Sequence, residues 1–287
     1  MKVLLTGSNG QLGRCFQDRL PADWQVWATD TTELDITDYA KVLVAVKEYQ
    51  PDVIVNAAAY TAVDKAESEP ELAALVNKTG PENLARAAKE VSARLVHVST
   101  DYVFDGNATV PYIETDKTNP LGVYGQTKLD GEIAVSSVLP EAIIIRTAWV
   151  FSEYGNNFVK TMLRLAKERD VLGIVADQRG CPTYAGDIAQ AIIDLLKQNA
   201  DGGVYHFSGD KEVAWNEFAE EIFKIATTQG KMLRSPSVNH LTTDQYPTPS
   251  KRPLYSHLNG TKIQKLGIKL SNWQAQLSIV IPKIEEY

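Results

Sequence analysis

A chain of 287 residues, 44% of them hydrophobic, can bury one large α/β core or one core and a small appended lobe. Its formal net charge of −7, without a dense Lys/Arg run, argues against a nucleic-acid partner but allows an anionic ligand held by backbone amides. Cys15 and Cys181 make neither a disulfide framework nor a zinc site, no apolar run approaches a membrane span, and the N-terminal apolar stretch is too short for a signal peptide. A cytoplasmic chain with reduced thiols and no membrane partner is expected.

In chain order, short β-branched runs alternate with helical patterns. Val3–Thr6 reads as a buried strand, Leu12–Leu20 as a helix, Gln25–Thr29 as a strand and Tyr39–Tyr49 as a helix. Val53–Ala59 is the third strand. Glu71–Val91 carries one long helical pattern that Gly80-Pro81 should bend or restart. Leu95–Ser99 is the fourth strand, Tyr124–Ser136 a helix and Ala142–Val150 the fifth strand. Continuous apolar strands alternating with helices predict a Rossmann-like, doubly wound parallel sheet covered on both faces. Residues 1–150 are read as the NAD(P)-binding domain, with some later segments returning to it.

Residues 151–287 are read mainly as a substrate-binding lobe that cannot fold alone. Helices are expected at Phe158–Glu168, Ile188–Gln198 and Trp215–Thr227, with strands near Ile174-Val175 and at Val204–Phe207. Leu233–Tyr255 contains Pro236, Pro247, Pro249 and Pro253 and reads mostly as loop. Two short helices close the chain.

Gly7-Ser8-Asn9-Gly10-Gln11-Leu12-Gly13 follows the first strand and opens the first helix. Glycines at this spacing permit a tight turn, close approach of backbone to a pyrophosphate and close helix–strand packing. The helix N-terminus then offers free N–H groups and a positive dipole end to the anion. An ordinary glycine-rich strand–helix turn has the same pattern. Asp30, ending the second strand, can accept from an adenosine ribose and repel a 2′-phosphate, or can cap the turn before Thr31-Thr32. Asp35 and Ile36 could line the adenine. Ala57-Ala58-Ala59 offers small side chains, either to a cofactor or to close helix–sheet packing.

Tyr124 and Lys128, four apart on a helix, project from one face. Reducing a ketone with hydride requires a proton at the oxygen, and a tyrosine hydroxyl can donate it. A neighbouring ammonium is expected to lower the phenol's pKa from about 10. Thr100 ends the fourth strand, where ligands bind in an open parallel sheet, and can donate to the same carbonyl oxygen.

These features, with Val55-Asn56-Ala57-Ala58-Ala59-Tyr60-Thr61-Ala62-Val63-Asp64, Ser99 to Phe104, Arg146 to Val150, Gly155-Asn156-Asn157-Phe158, Asp177 to Thr183 and Arg252-Pro253, resemble the extended short-chain dehydrogenase/reductases. More narrowly, they resemble the dTDP-4-dehydrorhamnose reductases among them, over nearly the whole length. The resemblance implies NAD(P)H-dependent reduction of the 4-keto group of dTDP-4-dehydro-L-rhamnose, with Thr100, Tyr124 and Lys128 as the catalytic set. It implies cofactor contacts from Gly7, Asn9, Gly10, Gln11, Leu12, Gly13, Asp30, Asp35, Ile36, Ala57, Ala58, Ala59, Tyr60, Tyr124 and Lys128. It implies a nucleotide-sugar substrate held by Thr100, Asp101, Tyr102, Trp149, Asn157 and Arg252. Some family members share Mg²⁺ between subunits through a glutamate of the first helix. Cys15 stands at the matching position, so no metal is expected there, and the chain is expected as a monomer or homodimer. Rival readings are another nucleotide-sugar reductase, a 4-epimerase, or a non-catalytic regulatory subunit of the same fold. Related 4,6-dehydratases carry Asp-Glu after the strand-end threonine, and Asp101 is followed here by Tyr102.

Overall fold

The computed structural model describes residues 1–284. Five strands, β1 (Lys2–Thr6), β2 (Gln25–Thr29), β3 (Val53–Asn56), β4 (Arg94–Thr100) and β5 (Ile143–Thr147), are joined by the strand Gly203–His206 in a parallel sheet. From one edge the order is Gly203–His206, β5, β4, β3, β1, β2. The chain reverses its winding between β1 and β3, and the carboxyl ends there open a crevice.

Alternation along each strand builds two cores. Val3, Leu5 and Val55 face one side, which is covered by α1 (Gln11–Gln17), α8 (Ala185–Lys197) and parts of the C-terminal half. Leu4 and Ile54 face the other, against α2 (Tyr39–Tyr49) and α5 (Gly80–Glu90). Each fully buried leucine or isoleucine contributes roughly 1.5–3 kcal/mol, so a slip of one residue in any strand is strongly disfavoured.

Four elements depart from the sequence reading. β3 ends at Asn56, because the Asn56 side-chain oxygen accepts from Ala58 N and turns the chain out of the sheet. The expected helix Glu71–Val91 is α4 (Pro70–Ala74), a π turn over Leu75–Thr79, and α5 restarting at Gly80 with Pro81 in its first turn. The expected strand Ala142–Val150 breaks after Thr147. Trp149 takes a left-handed φ of 48°, and Val150–Phe151 pairs instead with Thr183–Tyr184. Within Leu233–Tyr255, Ser237–Leu241 forms a strand parallel to Val171–Val175. Further helices are α3 (Val63–Ala66), α6 (Val123–Val138), α7 (Phe158–Glu168) and α9 (Trp215–Thr228).

Candidate active site

The crevice holds a cleft of about 730 Å³, lined from Asp30 at one end to Thr147 and Trp149 at the other. The glycine loop shapes its middle. Gly7 has φ +70°, and a Cβ there would sit 2.6 Å from Ala58 N. A Cβ on Gly13 would lie 2.2 Å from the Gly7 carbonyl oxygen, so α1 packs directly on the loop. No side chain caps α1, and Gly10, Gln11 and Leu12 at its start line the cleft. The Gly10 N–H donates to the Gly7 carbonyl at 3.2 Å, which leaves the Gln11 and Leu12 N–H groups for an anion.

Asp30 sits at the cleft end of β2. Its carboxylate accepts from Asn9 N at 3.1 Å and Thr31 N at 2.8 Å. Asn9 therefore spends its N–H on Asp30 and is not among the lining residues. Asp35 lines the cleft while accepting from Thr37 N, and Ile36 lines it with a side chain that also packs into the second core. Ala57, Ala58 and Ala59 form the facing wall. Tyr60 turns away, since its hydroxyl donates to Glu69 at 2.7 Å and its N–H donates to the Asn77 side chain.

α6 carries Tyr124 and Lys128 against the end of β4. A Cβ on Gly125 would lie 2.2 Å from the Tyr102 carbonyl oxygen, so only glycine lets the helix seat this closely on the turn after Thr100. Tyr124 and Thr100 both line the cleft, and the Thr100 hydroxyl donates to Asp101 Oδ1 at 3.0 Å. Burial pushes the Tyr124 phenol up to about 12 and the Asp101 carboxyl up to about 6. Lys128 is buried, its Nζ donates to the Val98 carbonyl at 2.6 Å, and burial pulls it down to about 8 against the field of Glu132. The expected lowering of the phenol by Lys128 is therefore absent in this state. Burial raises the phenol, and the Lys128 ammonium is spent on a backbone carbonyl. Tyr124 is consequently protonated at neutral pH, as a proton donor must be.

Tyr102 lines the cleft edge-on to Tyr124, with ring centroids 5.4 Å apart. Trp149 stacks on Trp215 at 3.4 Å, which fixes the far wall. Arg252 stands behind that surface, over the Tyr102 ring and paired with Asp64 of α3 at 2.7 Å. Asn157 does not line the cleft. Its side-chain oxygen caps α7 and its amide donates to Gln11 Oε1, so it supports the glycine loop from behind.

Residues 1–285 match the family model described as RmlD substrate binding domain. A dTDP-4-dehydrorhamnose reductase of Aggregatibacter actinomycetemcomitans is 49% identical, over 96% of this chain and 97% of that protein. A solved dTDP-4-dehydrorhamnose reductase from Clostridium acetobutylicum superposes with a TM-score of 0.92 at 42% identity, covering 98% of this chain and 99% of that one. Another from Bacillus anthracis, solved in complex with NADP, superposes with a TM-score of 0.93 at 37% identity, over 98% and 99%.

The chain belongs to the dTDP-4-dehydrorhamnose reductase family.

Two groups beside this family's cleft escaped the sequence reading. Glu132 and Arg146 form a buried ion pair at 2.7 Å, and the Ser99 hydroxyl also donates to Glu132. The signals were a charge inside the apolar run Ile143–Thr147 and a carboxylate four residues beyond Lys128 on the same helix face. Asn77, in the π turn, clamps Tyr60 N and O and donates to Thr127 Oγ1 on α6. Cys15 is fully buried in the first core, where burial pushes its thiol up to about 12.

Proposed function

We propose that this protein reduces the C4 ketone of dTDP-4-dehydro-L-rhamnose to the alcohol of dTDP-L-rhamnose, the last step of dTDP-rhamnose synthesis, using NADH or NADPH in the cytoplasm. One observation carries the reading: Tyr124, Thr100 and Lys128 share a cleft with the uncapped, glycine-built start of α1. A chain 49% identical to a named reductase of this substrate supports it. Residues 1–150 would hold mainly the cofactor and residues 151–287 mainly the sugar nucleotide.

The residues present fit a dinucleotide. Gly7, Gly10 and Gly13 leave room for a pyrophosphate that side chains would fill, and the first N–H groups of α1 would hold its charge. Asp30 would take the adenosine ribose, Asp35 and Ile36 the adenine edge, and the Ala57–Ala59 wall the backbone-facing side. A bound reduced nicotinamide supplies a hydride to C4. Tyr124 Oη donates the proton to the developing O4 alkoxide, so that C=O becomes CH–OH. Thr100 Oγ1 holds O4 and orients the phenol. Lys128, once a ribose hydroxyl is within reach, steadies the ribose and the phenolate left on Tyr124. Asp101, Tyr102 and Trp149 border the sugar, while Arg252 acts on it through Tyr102 and the Asp64 pair.

The Asp30 carboxylate disfavours a 2′-phosphate, so NADH is the preferred reductant. At Cys15 the protonated thiol is a poor Mg²⁺ ligand, and function as a monomer or homodimer needs no metal there. The test is a spectrophotometric assay of nicotinamide oxidation with dTDP-4-dehydro-L-rhamnose. Stoichiometric oxidation to dTDP-L-rhamnose is expected. Tight cofactor binding without net oxidation would exclude a reductase.

A further inference from the structure

Thr147 is the last residue of β5 and the register partner of Thr100 at the end of β4. Its side chain is buried, and its hydroxyl oxygen has no hydrogen-bond partner among the described residues, although the residue lines the cleft. Three hydroxyls on β4 and α6 are engaged. Ser99 donates to Glu132, Thr100 to Asp101, and Thr127 to the Tyr124 carbonyl. A buried hydroxyl without a partner is destabilising, and valine has the same shape without that penalty. The strand otherwise reads Ile-Ile-Ile-Arg before Thr147, so packing alone would be served by another β-branched hydrocarbon.

The sheet order says what the hydroxyl faces. The strand ends follow one another as β2 with Asp30, β1 with the glycine loop, β3 with Ala57, β4 with Thr100 and β5 with Thr147. Each step is about 4.8 Å. An adenosine at β2 and a pyrophosphate at β1 would bring the reacting rings to β4, and Thr147 stands one strand further along the same row. Beyond it the chain turns through Trp149, whose ring stacks on Trp215 and closes that end.

We propose that the Thr147 hydroxyl is a ligand-binding group at the reactive end of the cleft, hydrogen-bonding a neutral polar substituent, either the nicotinamide carboxamide or a sugar hydroxyl. The inference rests on the reductase reading for the identity of the sugar, but not for the cofactor. A hydrogen bond from a ligand would offset the cost of burying this hydroxyl.

Thr147→Val and Thr147→Ser should be compared with the wild type in three measurements. These are the melting temperature of the ligand-free protein, calorimetric affinity for NADH and NADPH, and kcat/KM for dTDP-4-dehydro-L-rhamnose. Thr147→Val is expected to melt no lower than the wild type while losing roughly tenfold in either cofactor affinity or kcat/KM for the sugar. Loss of cofactor affinity identifies the carboxamide as the partner. Loss confined to the sugar identifies its hydroxyl. Thr147→Ser, which keeps the oxygen, should stay near the wild type in both. Thr147→Val within about twofold of the wild type in both readouts would overturn the proposal. A lowered melting temperature with losses that serine does not restore would also overturn it, by showing a packing role. Failure of the reductase reading appears separately, as wild-type protein that binds cofactor but does not turn over the sugar. Cofactor affinity of Thr147→Val then decides alone: a fall supports the proposal and an unchanged value overturns it.

Discussion

Removing the Glu132 carboxylate tests whether the charge network beneath the cleft holds the site together. Glu132 and Arg146 are each 5% exposed, and Arg146 Nε and Nη2 together make three hydrogen bonds to the carboxylate. Arg146 has little else to turn to. His206 Nε2 lies at 3.4 Å and the Glu114 carbonyl at 3.4 Å, both near the outer limit of a hydrogen bond. Glu132→Ala therefore leaves a guanidinium buried without a counter-charge, at a cost of about 3–5 kcal/mol. Against a typical total of about 5–15 kcal/mol, that is a large fraction of the stability. Urea unfolding measures it. Glu132→Leu combined with Arg146→Met, which removes both charges, should recover most of the loss. The milder Glu132→Gln gives the electrostatic readout. Glu132 raises the affinity of Lys128 for its proton, which burial has already pulled down to about 8. Neutralising Glu132 makes that proton leave at lower pH, so the basic limb of kcat/KM moves down. A loss under about 1 kcal/mol for Glu132→Ala, or a basic limb that moves up in Glu132→Gln, would refute the reasoning.

Gly13→Val puts its Cβ against the Gly7 carbonyl, 2.2 Å away and backbone on both sides, so calorimetry should show both NADH and NADPH losing at least tenfold in affinity, of the order expected when overpacking costs about 1–3 kcal/mol. Asp30→Ala removes like-charge repulsion and frees Asn9 N, so the ratio of kcat/KM values should shift towards NADPH by roughly tenfold, and a shift towards NADH would contradict the electrostatic argument. Activity and size in light scattering should be the same in EDTA and in excess Mg²⁺, because the Cys15 thiol is buried and burial keeps it protonated at neutral pH. A dimer that dissociates in EDTA with falling activity would show a metal held by other ligands.

The sheet and the Tyr124–Lys128 helix were legible because both rest on local periodicity. Apolar runs marked β1 to β5, and the four-residue spacing placed both side chains on one face. Elements set by tertiary contacts were not legible. Trp149 breaks a strand through a left-handed backbone that no glycine announces, and its reason is Trp215, far along the chain. Ser237–Leu241 is mostly exposed and follows Pro236, so neither periodicity nor composition marks the strand. Among the expected site residues, Tyr60 and Asn157 lie within matching motifs, yet their polar groups go to Glu69, and to Gln11 and the α7 cap. A motif fixes residue type and order. It does not say whether a side chain touches ligand or supports a neighbour that does.

The central claim is that Tyr124 supplies the proton for ketone reduction. Its most direct test is the rate of NADH or NADPH oxidation by Tyr124→Phe with dTDP-4-dehydro-L-rhamnose, beside the wild type at equal cofactor saturation. The hydroxyl is the only group removed, and the ring's edge-on contact with Tyr102 is kept. The wild type should oxidise one nicotinamide per sugar reduced, while Tyr124→Phe should bind cofactor nearly as well and turn over about 10²–10⁴-fold more slowly. Near-wild-type turnover by Tyr124→Phe would contradict the assignment of the proton donor.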